Sequence, residues 1–243
     1  MKNILKIMLM MITIFTIAGS AVYAAEIPVS DQDQLITSND WTEISNLQDE
    51  MKKEEPDATI DYDKALKVYV DCNLIKLQTA DTKKLTSALE SANYVWVIPF
   101  KMEKTYGMFT VAKGLPLSEE AKSVLTKAEQ EEVKNHAGKW MITETAEHTV
   151  EPYYDILLEK REALSDCTRV VLVGSQPGMR QPVALGMDDE TARIWISLGY
   201  QYPVMEKIPE TQNVESGVYS FDSVAEISDT YIEDSEVSTG VGV

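Results

Sequence analysis

The chain has 243 residues, with 40 Asp and Glu against 22 Lys and Arg, for a formal charge of −18 at pH 7. That balance argues against nucleic acid, where a basic patch is the expected footprint, and against anionic lipid surfaces. Only two cysteines and two histidines are present, which narrows metal and nucleophile chemistry.

Lys2 and Lys6 precede an apolar run from Ile7 to Ile17, and small residues around Val22 and Ala24 follow. That is the layout of a secretory signal peptide over residues 1–24, and it predicts a secreted or cell-surface product. The alternative is an uncleaved N-terminal anchor, since the stretch without charge is just long enough to span a bilayer. Residues 25–61 carry 11 acidic and 2 basic side chains, residues 204–243 carry 9 and 1, and residues 62–203 carry 20 and 17. The charge therefore divides the chain into an acidic leader, one nearly balanced domain of ordinary size, and an acidic tail. Acidic segments of low hydrophobicity are expected to stay largely solvated and flexible, with Val218 to Phe221 and Val224 to Ile227 as apolar islands able to dock locally.

In the leader, Trp41, Ile44, Leu47 and Met51 recur at helical spacing behind Asp40, with Glu43 three residues on, and predict a short amphipathic helix. The domain opens with an extended stretch from Lys67 to Leu77, broken near Asn73. A helix over about 82–92 follows, capped by Asp81 and burying Leu85, Ala88, Leu89 and Ala92. The densest β signal lies between Asn93 and Gly114. There Tyr94, Trp96, Ile98 and Phe100 share one face and Val95 and Val97 the other, as in a central strand buried on both faces. The break ending at Gly107 suits a hairpin.

Pro116 and Ser118 introduce a second helix with an inner stripe of Ala121, Val124, Leu125, Ala128 and Val133, ending near Gly138. Trp140 to Thr143 reads as a short strand, Pro152 starts a third helix, and Arg169 to Val173 is an apolar strand. A turn over 174–178 and two further strands, over 182–187 and 192–198, complete the domain. The predicted class is α+β: a mainly antiparallel sheet with about three helices packed against it, preceded by an N-terminal signal peptide and set between acidic flexible flanks. The order of the first six elements, β-α-β-β-α-β, is that of the split β-α-β arrangement of ferredoxin-like folds.

Outside the cytosol, Cys72 and Cys167 read either as a single disulfide or as two buried thiols. His136 is read as a helix C-terminal residue, and His148, among Glu144, Glu147 and Glu151, as an exposed loop residue. No His-Glu-x-x-His or Cys-x-x-Cys pair occurs, and no glycine-rich phosphate cradle, so no cofactor is expected. Asp188, Asp189 and Glu190 are the candidates for a hard cation, although three adjacent acids cannot all converge and a charged hairpin turn is the plainer reading. Trp195 shares a strand face with Arg193 and Ser197, so it is expected at the surface beside a cation. With Arg193, Tyr200 and Tyr202 it forms the candidate binding set. No catalytic residue is assigned.

These readings favour an exported, non-catalytic binding or accessory protein that recognises a protein, peptide or glycan, with no nucleic acid and no membrane contact apart from the possible anchor. The alternatives are a secreted hydrolase using paired carboxylates and a membrane-anchored extracellular sensory or accessory domain.

Overall fold

The computed structural model describes residues 27–228, apart from 149, 175, 180, 201, 203 and 210–212. The signal-peptide reading and the last fifteen residues of the acidic tail lie outside the described residues. No described helix is long and apolar enough to cross a membrane.

Among the described residues ten strands form one sheet: β1 (Thr59–Ile60), β2 (Leu66–Tyr69), β3 (Tyr94–Lys101), β4 (Tyr106–Lys113), β5 (Trp140–His148), β6 (Arg169–Val173), β7 (Val183–Met187), β8 (Ala192–Ser197), β9 (Asn213–Glu215) and β10 (Val218–Ser220). Their order is β5-β4-β3-β2-β6-β7-β8-β10-β9, and β1 adds to the free part of β3's edge. Every pairing is antiparallel except β2 with β6. The class is thus α+β with a mostly antiparallel sheet. The neighbours β2 to β5 run consecutively, which is a meander and not the split β-α-β order.

Alternation gives the sheet two distinct faces. On the back face, Trp96, Ile98, Phe100, Phe109 and Val111 form a core with Leu35, Ile44 and Met51 of the leader. These three come from a leader that folds as short helical pieces, including α1 (Trp41–Ile44) and α2 (Gln48–Glu54). Farther along the same face, Tyr69, Val171, Val173, Leu185 and Trp195 pack against Leu85 and Leu89 of α3 (Thr82–Glu90), and against Phe221 and Val224. On the front face, Val68, Val170, Leu172, Ala184, Ile194 and Ile196 pack beneath α6 (Tyr153–Glu159), which buries Tyr153, Ile156 and Leu157.

Two carboxylates fasten the leader to the back of the sheet. Asp33, 2% exposed, accepts from the Tyr69 hydroxyl at 2.7 Å, from Arg169 Nη2 at 2.9 Å and from Ser30 Oγ at 2.6 Å. Asp40 accepts from the Tyr94 hydroxyl at 2.8 Å and from Trp96 Nε1 at 3.0 Å. Between them lies the ammonium of Lys67, 3.9 Å from Asp33 and 4.5 Å from the centre of the Tyr94 ring. Burial lowers the Lys67 pKa, and the opposing pull of Asp33 only partly restores it.

Several expectations change. The acidic leader is not a solvated flank, since Leu35, Ile44, Met51 and Ala58 are buried. The boundary at 203 does not end the fold either: Val204, Met205, Ile208, Val218, Phe221 and Val224 are buried, β10 pairs with β8, and residues 221–228 are helical. In both flanks the few apolar residues face the sheet and the acids face solvent, so average composition hides the pattern. The helix expected after Ser118 is two helices, α4 (Glu119–Val124) and α5 (Lys127–His136). Thr126 separates them by capping α5, and Glu129 returns the bond to its backbone. Neither helix buries a residue, and Val124 of the expected inner stripe is 80% exposed. The stretch after β2 turns through Asp71, at φ 57, into a 3₁₀ turn at Ile75–Leu77 instead of a second strand.

Cys72 and Cys167 are free and buried. Cys72 belongs to the back-face core and Cys167 to the front-face core, so the sheet itself separates the two sulfurs and the disulfide is not formed. Burial pushes both thiols up to about 11, which keeps them protonated and unreactive near neutrality.

Candidate functional site

The front face over β2 to β5 is not covered as the rest of the sheet is. Three clefts of about 240, 520 and 750 Å³ lie there in a row and share lining residues: Val70 and Val95 between the first two, Ala112 to Pro116 between the last two. Together they form one groove. Its floor is Val68, Val70, Val95, Val97, Thr110 and Ala112, from three adjacent strands. Val68 and Val97 are buried, but Val70, Val95, Thr110 and Ala112 are only half-buried.

The local sequence explains the hollow. Along β4 the large side chains Phe109 and Val111 point to the back, leaving Thr110 and Ala112 on the front. In β5 the positions that line the first cleft are Glu144, Ala146 and His148, which are small or polar. Val95 therefore has no bulky neighbour above it, and the expectation that β3 is buried on both faces holds fully only for the back. The far wall comes from α4, α5 and the short link between them, with Leu125 of the link and Val133 of α5 lining the widest cleft. Gly114 lets β4 reach that wall: a Cβ there would lie 2.2 Å from the His136 carbonyl oxygen, inside contact distance. Its carbonyl accepts from Gly138, whose φ of +74° ends the helix.

At the near end stands a polar group. The Tyr200 hydroxyl lies 3.1 Å from His148 Nδ1, with the rings edge-on at 6.4 Å, and the hydroxyl of buried Tyr153 interacts with that of Tyr200. Burial lowers the pKa of His148, against the weaker pull of Glu144, so the imidazole is neutral at pH 7. Burial raises the pKa of Tyr153 far above the usual phenol range. Thr110 Oγ1 donates to Glu144 Oε2 at 3.5 Å. His148 is thus not an exposed loop residue; it ends a strand and sits half-buried at a groove.

Among the described lining residues of this end, Glu144 is the single carboxylate. Hydrolysis by a carboxylate pair needs two acids across the reacting atoms. A neutral imidazole beside one acid and the Tyr200 hydroxyl offers hydrogen bonding, and no serine or cysteine is among the described lining residues of this end. What the groove offers most of is apolar area.

No family model matches the sequence, and no curated protein or solved structure is similar to it. The functional reading therefore comes from the sequence and the geometry.

Of the candidate binding residues, Tyr200 alone reaches the groove end. Trp195 is fully buried, stacked on Phe221 at 5.6 Å and 11°, because the C-terminal segment covers the face expected to be open. Arg193 is exposed, but it pairs with Asp188. Tyr202 is buried and donates to the Pro182 carbonyl at 2.6 Å. The acidic turn is occupied by its own backbone: Asp188 accepts from the amides of Glu190 at 2.8 Å and Thr191 at 2.6 Å, which, with Arg193, lowers its pKa. Asp189 accepts from Thr168 Oγ1, and among the described residues no group of three His, Cys, Asp or Glu is placed to hold a metal ion. The groove itself left one trace in the sequence, the alternation of Thr110 and Ala112 on the front of β4 with Phe109 and Val111 on its back.

Proposed function

We propose that this chain is an exported, non-catalytic binding protein whose front-face groove receives a segment of another protein or a peptide. The observation that carries the reading is the continuous, half-exposed aliphatic floor over three interior strands, walled at both ends. An aliphatic floor suits apolar side chains better than sugar rings, which favour an aromatic platform. Export is supported by the layout of residues 1–24.

The test uses peptide and oligosaccharide arrays, probed with the protein and with Thr110→Trp, which fills the middle of the groove. Peptide or protein ligands should be captured by the protein and lost, by about tenfold or more in affinity, in the variant. Ligands that ignore Thr110→Trp would sink the reading. Turnover of an oligosaccharide abolished by Glu144→Gln would replace it with the hydrolase.

A further inference from the structure

The structure also constrains what the groove would hold. We infer that its occupant is a cationic amphipathic α-helix presented by a partner protein, an inference that rests on the binding reading above and adds the chemistry of the ligand.

The floor decides between a strand and a helix. β2 is hydrogen-bonded to β3 and β6, β3 to β2 and β4, and β4 to β3 and β5. The backbone groups of the floor are therefore spent within the sheet, and only side chains face the groove. An extended segment laid there would close over its own N–H and C=O groups without partners, whereas a helix satisfies its backbone internally. The layering agrees. Over β6 to β8 the same face carries α6, with Ile156 and Leu157 buried against it. Over β3 to β5 only α4 and α5 stand on it among the described helices, at the far end of the groove and without burying a residue, and a sheet face in a layered fold is completed by a helix. From Met108 to Ala112 the floor runs about 13 Å at 3.3 Å per residue. That is the length of about nine helical residues at 1.5 Å each, a little over two turns.

Charge supplies the sign. Asp71, Glu129, Glu132 and Glu144 line the clefts, and none of them pairs with a Lys or Arg among the described residues. The one lysine of the lining, Lys113, is itself 3.9 Å from Glu43 and 5.3 Å from the centre of the Trp140 ring. Uncompensated acidic walls around an apolar floor, on a chain of charge −18, favour Lys and Arg beside the ligand's apolar stripe and steer it inward.

Three labelled synthetic peptides separate the possibilities: a Leu/Lys amphipathic helix, its Leu/Glu counterpart, and a Leu/Lys peptide of the same composition in strict alternation. Fluorescence anisotropy gives the affinities at low and high salt, and circular dichroism the peptide's helicity. The Leu/Lys helix should bind about tenfold or more tightly than either other peptide and gain helicity on binding. Thr110→Trp, or Ala112→Trp if the first variant unfolds, should weaken it about tenfold without shifting the protein's Tm. Glu132→Gln with Glu144→Gln should weaken it about three- to tenfold at low salt and less at high salt.

If the Leu/Glu or alternating peptide binds as well and Thr110→Trp still blocks it, the groove reading stands and the cationic helix is wrong. If none of the three binds while the arrays give ligands sensitive to Thr110→Trp, the helix inference again falls alone. Binding indifferent to Thr110→Trp is adsorption to an acidic surface and overturns both. Self-association of the protein, abolished by Thr110→Trp, would make the occupant a second copy and overturn the inference.

Discussion

A thiol on each side of a sheet has no route to the other. Cys72 and Cys167 show why residue-scale readings succeed or fail: whether each was buried could be judged from its own neighbourhood, but whether they met depended on which face each strand end presented. Ellman's reagent should find no reactive thiol in the folded protein and two per chain after unfolding without reductant. Finding none after unfolding would restore the disulfide. The same limit governs the other site residues. Asp188 was legible as a turn because its partners lie within five positions. Trp195 was not, because what covers it is Phe221, remote in sequence and in a segment whose composition reads as tail. Asp40 has the sequence context of a helix cap, yet its side chain makes no capping bond and accepts from Tyr94 and Trp96 across the fold.

At the scale of elements, the β3–β4 hairpin was legible almost residue by residue, since its register is set locally by a short break and two apolar runs. Its tightest point is the pair of Phe100 with Gly107, where the Phe100 ring lies over the glycine and a Cβ would fall 2.1 Å from its tip. Gly107→Ala should therefore destabilise by about 1–3 kcal/mol as the ring is forced aside from its contact with Phe109. Urea denaturation checks this, and a change under about 0.5 kcal/mol, the ordinary range for surface substitutions, would mean that the ring moves freely. The division between α4 and α5 was also written locally, in Thr126 and Glu129, but the apolar periodicity running through it masks the signal. The groove is an element-scale property as well: it arises because neighbouring strands present their smallest residues on the same side.

Across the whole molecule, the acidic leader belongs to the fold, and Asp33 is its principal tie. Asp33→Ala would leave Arg169 and Lys67 partly buried without their carboxylate. Removing one member of a buried pair costs about 3–5 kcal/mol, so the variant should unfold at clearly lower denaturant, with Asp33→Asn in between. A loss comparable to that of an exposed acid such as Asp49 would show the leader to be dispensable. The α+β class and the mainly antiparallel sheet were readable from element types, but the strand order was not, because no local signal specifies that β2 lies beside β6. That one parallel strand pairing, Val68 with Leu172 and Tyr69 with Val173, joins two halves that each close by short-range pairing. It therefore also sets the tempo of assembly. A chain made N-terminus first, at roughly 5–20 residues per second, has β2 in hand roughly 5–20 s before its partner exists. Until then one edge of the nascent meander is an open template, and protecting it falls to whatever receives the growing chain.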